Sequence, residues 1–382
     1  MWVNTGRLPH VLAPADYFSG EQHAREAERV FLPGWHCVGA VDDVPRSGDF
    51  VTRELFGHPV LLRNEGGELS AFLNVCAHRH CRLERAERGS ARRIVCPYHG
   101  WEYDAEGAVR KVPDAACFKP IRRGAERLHR YRVERLGRLV FVSLATDGPG
   151  LDATLGERTV SLGREIFSDR FRMIAAREID HPCNWKIPIE NVLESYHVAS
   201  LHRNVLADNP RFFKVFTAAP KPGDEGAVHE LGDRFTVYRD ALGAESAAYR
   251  ALMRRLRGDA SFEYVHHHAF PNIVFGHTSI VSFLQTTYPT SPTTSRSSIR
   301  LFLHRGDDDR ALLSRAIFPV LDRVAGRLID MVLREDAHIY PDAQRGLEAS
   351  VLPGVLGSRE ERIHAFQSWL KRTIEGASLT SP

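Results

Sequence analysis

The chain has 382 residues, room for two or three domains with sizeable hydrophobic cores. Its 43% hydrophobic and 26% charged content is the balance of a soluble globular protein and excludes a disordered one. A net charge of only +3, from 51 basic and 48 acidic side chains with no dense Lys/Arg block, argues against a nucleic-acid partner.

The first residues, Met1-Trp2-Val3-Asn4-Thr5, lack the basic and apolar regions of a signal peptide. No apolar run approaches the roughly 18 residues of a membrane span. A cytoplasmic location is the expectation. Six cysteines are too few for a disulfide scaffold in a chain this long, and a reducing compartment suits them.

From about Trp35 to Ala145 the sequence reads as short strands broken by Gly, Pro and Asp, such as Gly48-Asp49-Phe50-Val51, Pro59-Val60-Leu61-Leu62 and Leu139-Val140-Phe141-Val142. Inside this small all-β region lie Cys76-Ala77-His78 and, after 17 intervening residues, Cys96-Pro97-Tyr98-His99-Gly100-Trp101. Each loop offers one thiolate and one imidazole. Two such turns facing each other could hold a diiron cluster, with the cysteines on one iron and the histidines on the other. Tetrahedral zinc accepts the same four ligands and stays open at this point.

Thr146-Asp147-Gly148-Pro149-Gly150 carries turn residues with no apolar anchor and marks a boundary. The expected organisation is residues 1–34 as an N-terminal segment packed on the larger domain, 35–147 as the cluster domain, and 148–382 as the larger domain.

In that larger domain, Asn184-Trp185-Lys186 leads to a stretch from Glu190 to His202 with two His and two carboxylates in 13 positions. On a helix Glu194 and His197 share a face, whereas His202 lies about 140° away, so convergence requires a bend or a helix end. Two imidazoles and one carboxylate would leave open positions on iron(II) for dioxygen and substrate. Two satisfied polar histidines in an aromatic-flanked helix are the plainer alternative.

His266-His267-His268 is metal-like in composition, but adjacent strand residues point to opposite faces, so a structural or pocket-lining role is expected. Phe212, Phe213, Phe216, Phe262, Tyr264, Phe270 and Phe275 could cage a methylammonium group, though core packing is the plainer reading. Ile299, Leu301 and Leu303 alternate with Arg300, Phe302 and His304, as in antiparallel strands packed on one face. Helical spacings run roughly from Asp309 to Ala337 and from Ser358 to Glu375, so the whole is α+β. Glu335, Asp336 and Asp342 read on their own as the solvated face of a long helix.

The loops Cys76-Ala77-His78-Arg79-His80 and Cys96-Pro97-Tyr98-His99-Gly100-Trp101 resemble the ligand loops of Rieske proteins. The element from Glu194 through His197 to His202 resembles the iron-binding segment of Rieske non-haem iron oxygenases. One departure is His80-Cys81, where ring-hydroxylating relatives often have Gly; both read as residues that support the ligands or pack, rather than as ligands.

The resemblance implies a [2Fe–2S] cluster on Cys76, His78, Cys96 and His99, and a mononuclear Fe(II) on His197, His202 and Asp336. Asp336 is preferred to Glu335 because Glu335-Asp336 followed by Gln344-Arg345-Gly346-Leu347 looks like the family pattern. It implies a small all-β Rieske domain beside a catalytic domain with an antiparallel sheet flanked by helices, of helix-grip type. Glu194 is the expected bridge carrying electrons from His99 of one subunit to His197 of its neighbour, with Asn191 as a second catalytic candidate.

The implied activity is O2-dependent hydroxylation or oxidative demethylation of a small organic substrate, since Glu at 194 resembles the choline and carnitine monooxygenase-like branch. Aromatic-ring dihydroxylation is the alternative, and an iron–sulfur electron carrier the non-enzymatic one. No dinucleotide-binding Gly-rich turn is present. NAD(P)H and flavin are therefore expected on a separate reductase, with or without a ferredoxin, and a homotrimer or a multiple of it is implied.

Overall fold

The structure is a computed structural model that describes residues 6–119, 126–202, 228–232, 234–241, 263–278, 281–305 and 312–376. Phe212, Phe213, Phe216 and Phe262 of the candidate cage lie outside the described residues. The chain forms two compact units, Phe31–Val160 and Met1–Val30 with Ser161–Pro382. Among the described residues no helix is long and apolar enough to cross a membrane.

In the Phe31–Val160 unit the strands are β1 (Trp35–Ala40), β2 (Asp49–Leu55), β3 (His58–Glu65), β4 (Glu68–Leu73), β5 (Arg88–Ser90), β6 (Ile94–Val95), β7 (Glu102–Tyr103), β8 (Val109–Lys111), β9 (Arg130–Leu136) and β10 (Leu139–Ser143). Seven pair in the order β1-β10-β9-β4-β3-β2-β5, and β6-β7-β8 form a separate sheet. The tight hairpin between β3 and β4 turns at Gly66 and Gly67, whose φ of 68° and 101° is left-handed backbone that glycine takes without a Cβ clash. Phe50, Leu61, Phe72, Leu83, Ile94, Trp101, Tyr103 and Leu128 bury against Cys76 and Cys96, so the ligand loops grow from the core of this unit.

Two short helices follow, α2 (Leu151–Leu155) and α3 (Glu157–Ile166), after α1 (Gly20–Glu26) near the chain start. The other unit is built on β11 (Phe171–His181), β12 (Val228–Gly232), β13 (Phe235–Ala241), β14 (Glu263–Ala269), β15 (Ile273–His277), β16 (Val281–Ser291) and β17 (Thr294–His304). All pairings are antiparallel, in the order β11-β17-β16-β15-β14-β13-β12. The expected α+β architecture is therefore the observed one.

One expectation is modified: β17 is buried on both faces, Ile299, Leu301 and Leu303 on one and Arg300, Phe302 and His304 on the other. As an interior strand it is covered from two sides, with Phe167 packing edge-on to Phe302 and Phe275 at 5.2 and 5.4 Å on one of them.

The helices that position the site are α4 (Lys186–Val192), α5 (Val198–Leu201), α6 (Leu312–Ala349) and α7 (Glu361–Glu375). α6 runs well past Ala337 and contains Pro319 and Pro341. Pro341 lacks an N–H and crowds the preceding turn, yet the helix continues through it. Two contacts fix α6 along the sheet. Arg177 of β11 grips Asp330 through two hydrogen bonds of 2.7 and 3.0 Å, and Tyr340 packs edge-on to His181 at 5.2 Å. Asp336 lies between these anchors.

Candidate metal centres

The two cysteine loops share one backbone scheme. Cys76 N–H donates to Cys81 O and His80 N–H to Cys76 O; in the second loop Cys96 N–H donates to Trp101 O and Gly100 N–H to Cys96 O. Both need left-handed backbone at the fifth position, where φ is 58° at His80 and 70° at Gly100. His80 thus occupies a position that favours glycine, at a cost of about 1 kcal/mol.

These loops bring four donors together. Cys76 and Cys96 are buried, and the His78 and His99 rings lie 4.7 Å apart. The Nδ1 atoms of both histidines are buried with no hydrogen-bond partner among the described residues. Buried nitrogens are rarely left so, and two of them beside two thiols fit a metal group that uses all four. Burial, with the neighbouring His99 and Arg79, lowers the pKa of His78 and so favours its neutral ring. Trp101 stacks on His78 with an interplanar angle of 4°.

Sequence reasoning missed Tyr103. Its hydroxyl lies 3.0 Å from Cys76 Sγ and accepts from Ala77 N–H at 3.0 Å. Toward a thiolate that hydroxyl is the donor.

In the other unit the chain leaves α4 at Leu193, turns through Glu194-Ser195-Tyr196-His197, and resumes as the single turn α5. This supplies the bend needed to bring His202 round. Glu194 caps the turn by accepting from the backbone N–H groups of Tyr196 and His197. Ligand atoms of His197, His202 and Asp336 all lie within 4.8 Å of one another. Asp336 Oδ1 is 3.7 Å from His197 Nε2 and 3.1 Å from His202 Nε2. That oxygen is buried without a hydrogen bond of good geometry, so the set fits a cation held between two imidazoles and a carboxylate.

Both imidazoles carry a carboxylate on the far nitrogen: Glu194 Oε1 is 2.5 Å from His197 Nδ1, and Glu335 Oε2 is 2.8 Å from His202 Nδ1. Each fixes the tautomer with Nδ1 protonated and the Nε2 lone pair free toward Asp336. Burial opposes a charge on His202, but Asp336 and Glu335 outweigh it and raise its pKa. Asn191 does not join the triad; it sits beside the buried Tyr340 hydroxyl. In β14, His267 faces His277 at 3.2 Å while His268 reaches Pro271 O on the opposite face, so the three consecutive histidines do not converge.

A cluster unit with Cys/His loops, joined to an antiparallel sheet whose helices carry a two-histidine, one-carboxylate triad, defines the class of Rieske oxygenases. Residues 168–376 match the model of the ring hydroxylating alpha subunit catalytic domain, and residues 34–131 that of the Rieske [2Fe-2S] domain. The chain belongs to the ring-hydroxylating alpha subunit family.

Its relatives include the biphenyl 2,3-dioxygenase alpha subunit of Rhodococcus jostii, 33% identical over 202 residues, or 51% of this chain and 43% of the relative. The glycine betaine monooxygenase oxygenase subunit of Chromohalobacter salexigens is 31% identical over 198 residues, or 52% of this chain and 44% of the relative. The matched region spans about half the length of these curated relatives. Among solved structures, naphthalene 1,2-dioxygenase with bound indole shares the fold at a TM-score of 0.75 and 20% identity, over 99% of this chain and 96% of the other. A quaternary ammonium Rieske monooxygenase in complex with L-carnitine does so at 0.72 and 19%, over 96% and 95%.

Proposed function

We propose that the chain is the terminal oxygenase of a multicomponent system that hydroxylates or oxidatively demethylates a small organic substrate. The observation that carries this reading is the triad of His197, His202 and Asp336, with ligand atoms within 4.8 Å, on a chain that also holds the Rieske loops. Cys76, His78, Cys96 and His99 hold the [2Fe–2S] cluster, and His197, His202 and Asp336 hold the mononuclear iron. When bound, iron(II) supplies open coordination positions for dioxygen and substrate, and the cluster supplies single electrons.

The chain's own residues do the rest. Glu194 and Glu335 hold the two imidazoles by their Nδ1 atoms and keep Nε2 available. Glu194 also bridges the expected electron route, from His99 of one subunit to Glu194 and His197 of the next, which calls for a trimer or a multiple of it. A separate reductase, alone or with a ferredoxin, delivers the electrons from NAD(P)H and flavin. None of the six cysteines is in a disulfide, which suits the cytoplasm.

Glu at position 194 favours one-oxygen insertion, and the glycine betaine monooxygenase subunits among the relatives support it. The second reading, aromatic-ring dihydroxylation, has the biphenyl and chlorobenzene dioxygenase alpha subunits as its support. Turnover under 18O2 with a panel of methylammonium compounds and arenes separates them. One labelled oxygen in a hydroxylated product, or demethylation with the label released in formaldehyde, supports the first reading, and a labelled cis-diol from an arene overturns it. A chain with a cluster but no mononuclear iron would be an electron carrier.

A further inference from the structure

The helix that precedes the triad is held by a buried ionic cluster rather than by apolar packing alone. Lys186 Nζ lies 2.6 Å from Glu26 Oε1, and both side chains are fully buried. The same carboxylate accepts from Trp185 Nε1 at 2.7 Å and from Gln22 Nε2 at 3.2 Å. The ammonium group also sits 5.1 Å from the centre of the Tyr17 ring. One turn further along α4, Glu190 Oε1 accepts from Tyr17 Oη at 2.6 Å and from Gln367 Nε2 at 2.9 Å. Asn184, just before α4, donates its N–H to Gln344, whose amide donates in turn to Tyr17 O at 3.3 Å.

Trp185 at the start of this helix, and Lys186 and Glu190 on it, thus all end on Tyr17 or Glu26. Buried ion pairs add little net stability, but removing one partner strands a charge, and their directed bonds fix one arrangement of the groups they join. Five residues after α4 ends comes His197, and after the next turn His202. The placement of α4 therefore sets where both imidazoles sit relative to Asp336 on α6.

We propose that Glu26 and Tyr17 are positioning residues for the iron triad, so that the N-terminal segment tunes Fe(II) affinity and geometry without touching the metal. This rests on reading the triad as an iron site. Removing both charges of a buried pair together strands neither of them, which allows positioning to be separated from folding.

The test uses the full cluster-loaded chain, stripped of mononuclear iron with a chelator and titrated with Fe(II), and the EPR spectrum of the Fe(II)–nitric oxide adduct. The double variant Glu26→Gln, Lys186→Met is expected to keep the wild-type Tm and cluster absorbance, to bind Fe(II) about tenfold more weakly, and to give a broadened adduct spectrum. Tyr17→Phe, which removes one hydroxyl, is expected to shift both readouts in the same direction by a smaller amount, and it carries the test if the double variant does not fold. Wild-type Fe(II) affinity and spectrum in the folded variants would overturn the positioning role. If the wild-type chain itself took up no Fe(II), the iron-site reading would fail instead.

Discussion

His202 stands between two carboxylates that are neighbours in the chain: its Nδ1 is 2.8 Å from Glu335 and its Nε2 is 3.1 Å from Asp336. Helix α6 thus offers one oxygen to the candidate metal and one to the back of the imidazole. Removing the latter with Glu335→Ala is expected to lower Fe(II) affinity by about 10- to 100-fold, while Glu335→Gln, which retains an acceptor oxygen, loses much less. Iron content after gel filtration at a series of free Fe(II) concentrations measures this. Equal losses in the two variants would show that the side chain acts by its charge alone.

Glu194 has the matching position behind His197 but is assigned a second task, the passage of electrons. At saturating Fe(II), turnover of Glu335→Ala is expected to recover toward wild type. That of Glu194→Ala is expected to remain down by on the order of 100-fold although both centres are filled. Full turnover in Glu194→Ala with both metals bound would remove it from the route.

Tyr103 touches the cluster site through Cys76 Sγ. A hydrogen bond to a cluster sulfur favours the reduced, more negative state. Tyr103→Phe is expected to lower the cluster potential by roughly 40 mV, the equivalent of about 1 kcal/mol in a one-electron couple. Protein-film voltammetry reads the change, and an unaltered potential would place the hydroxyl's partner elsewhere.

Acid sensitivity follows from buried histidines. Burial lowers the pKa of His36 to about 4 and that of His181 to about 4. Between pH 6.5 and 4 the unfolded chain binds protons at these rings that the folded chain does not, so their contribution is fully present above pH 6.5 and is lost as pH falls toward 4. Each is worth up to roughly 3 kcal/mol across that window. Tm measured from pH 7 to 4.5 should fall less steeply in His36→Gln than in wild type; an identical slope would contradict the assignment.

The Cys/His loops and the histidine pair are legible because their members cluster in sequence. Cys76 with His78, Cys96 with His99, and His197 with His202 are each a few residues apart, and spacing carries the chemistry. Asp336 was reached only through the resemblance of its surroundings, since an acidic pair on a long helix reads as solvated surface. What was not legible depends on long-range packing. Trp185 meets Glu26 across 159 residues and Tyr17 meets Glu190 across 173, and no local pattern announces either pair. Tyr103 sits on a two-residue strand, too short to show which side chain faces a thiol. The alternation in β17 failed as a guide to exposure because the strand is interior and covered on both faces, so Arg300 and His304 are as buried as their apolar neighbours.

One chain is proposed to carry both an iron–sulfur cluster and a mononuclear iron. Anaerobic purification followed by iron, zinc and acid-labile sulfide analysis, with EPR of the dithionite-reduced protein, tests it most directly. About three iron and about two sulfide per chain with a Rieske-type signal is the expected result. One zinc without sulfide, or a mononuclear site that takes up no added Fe(II), would contradict it.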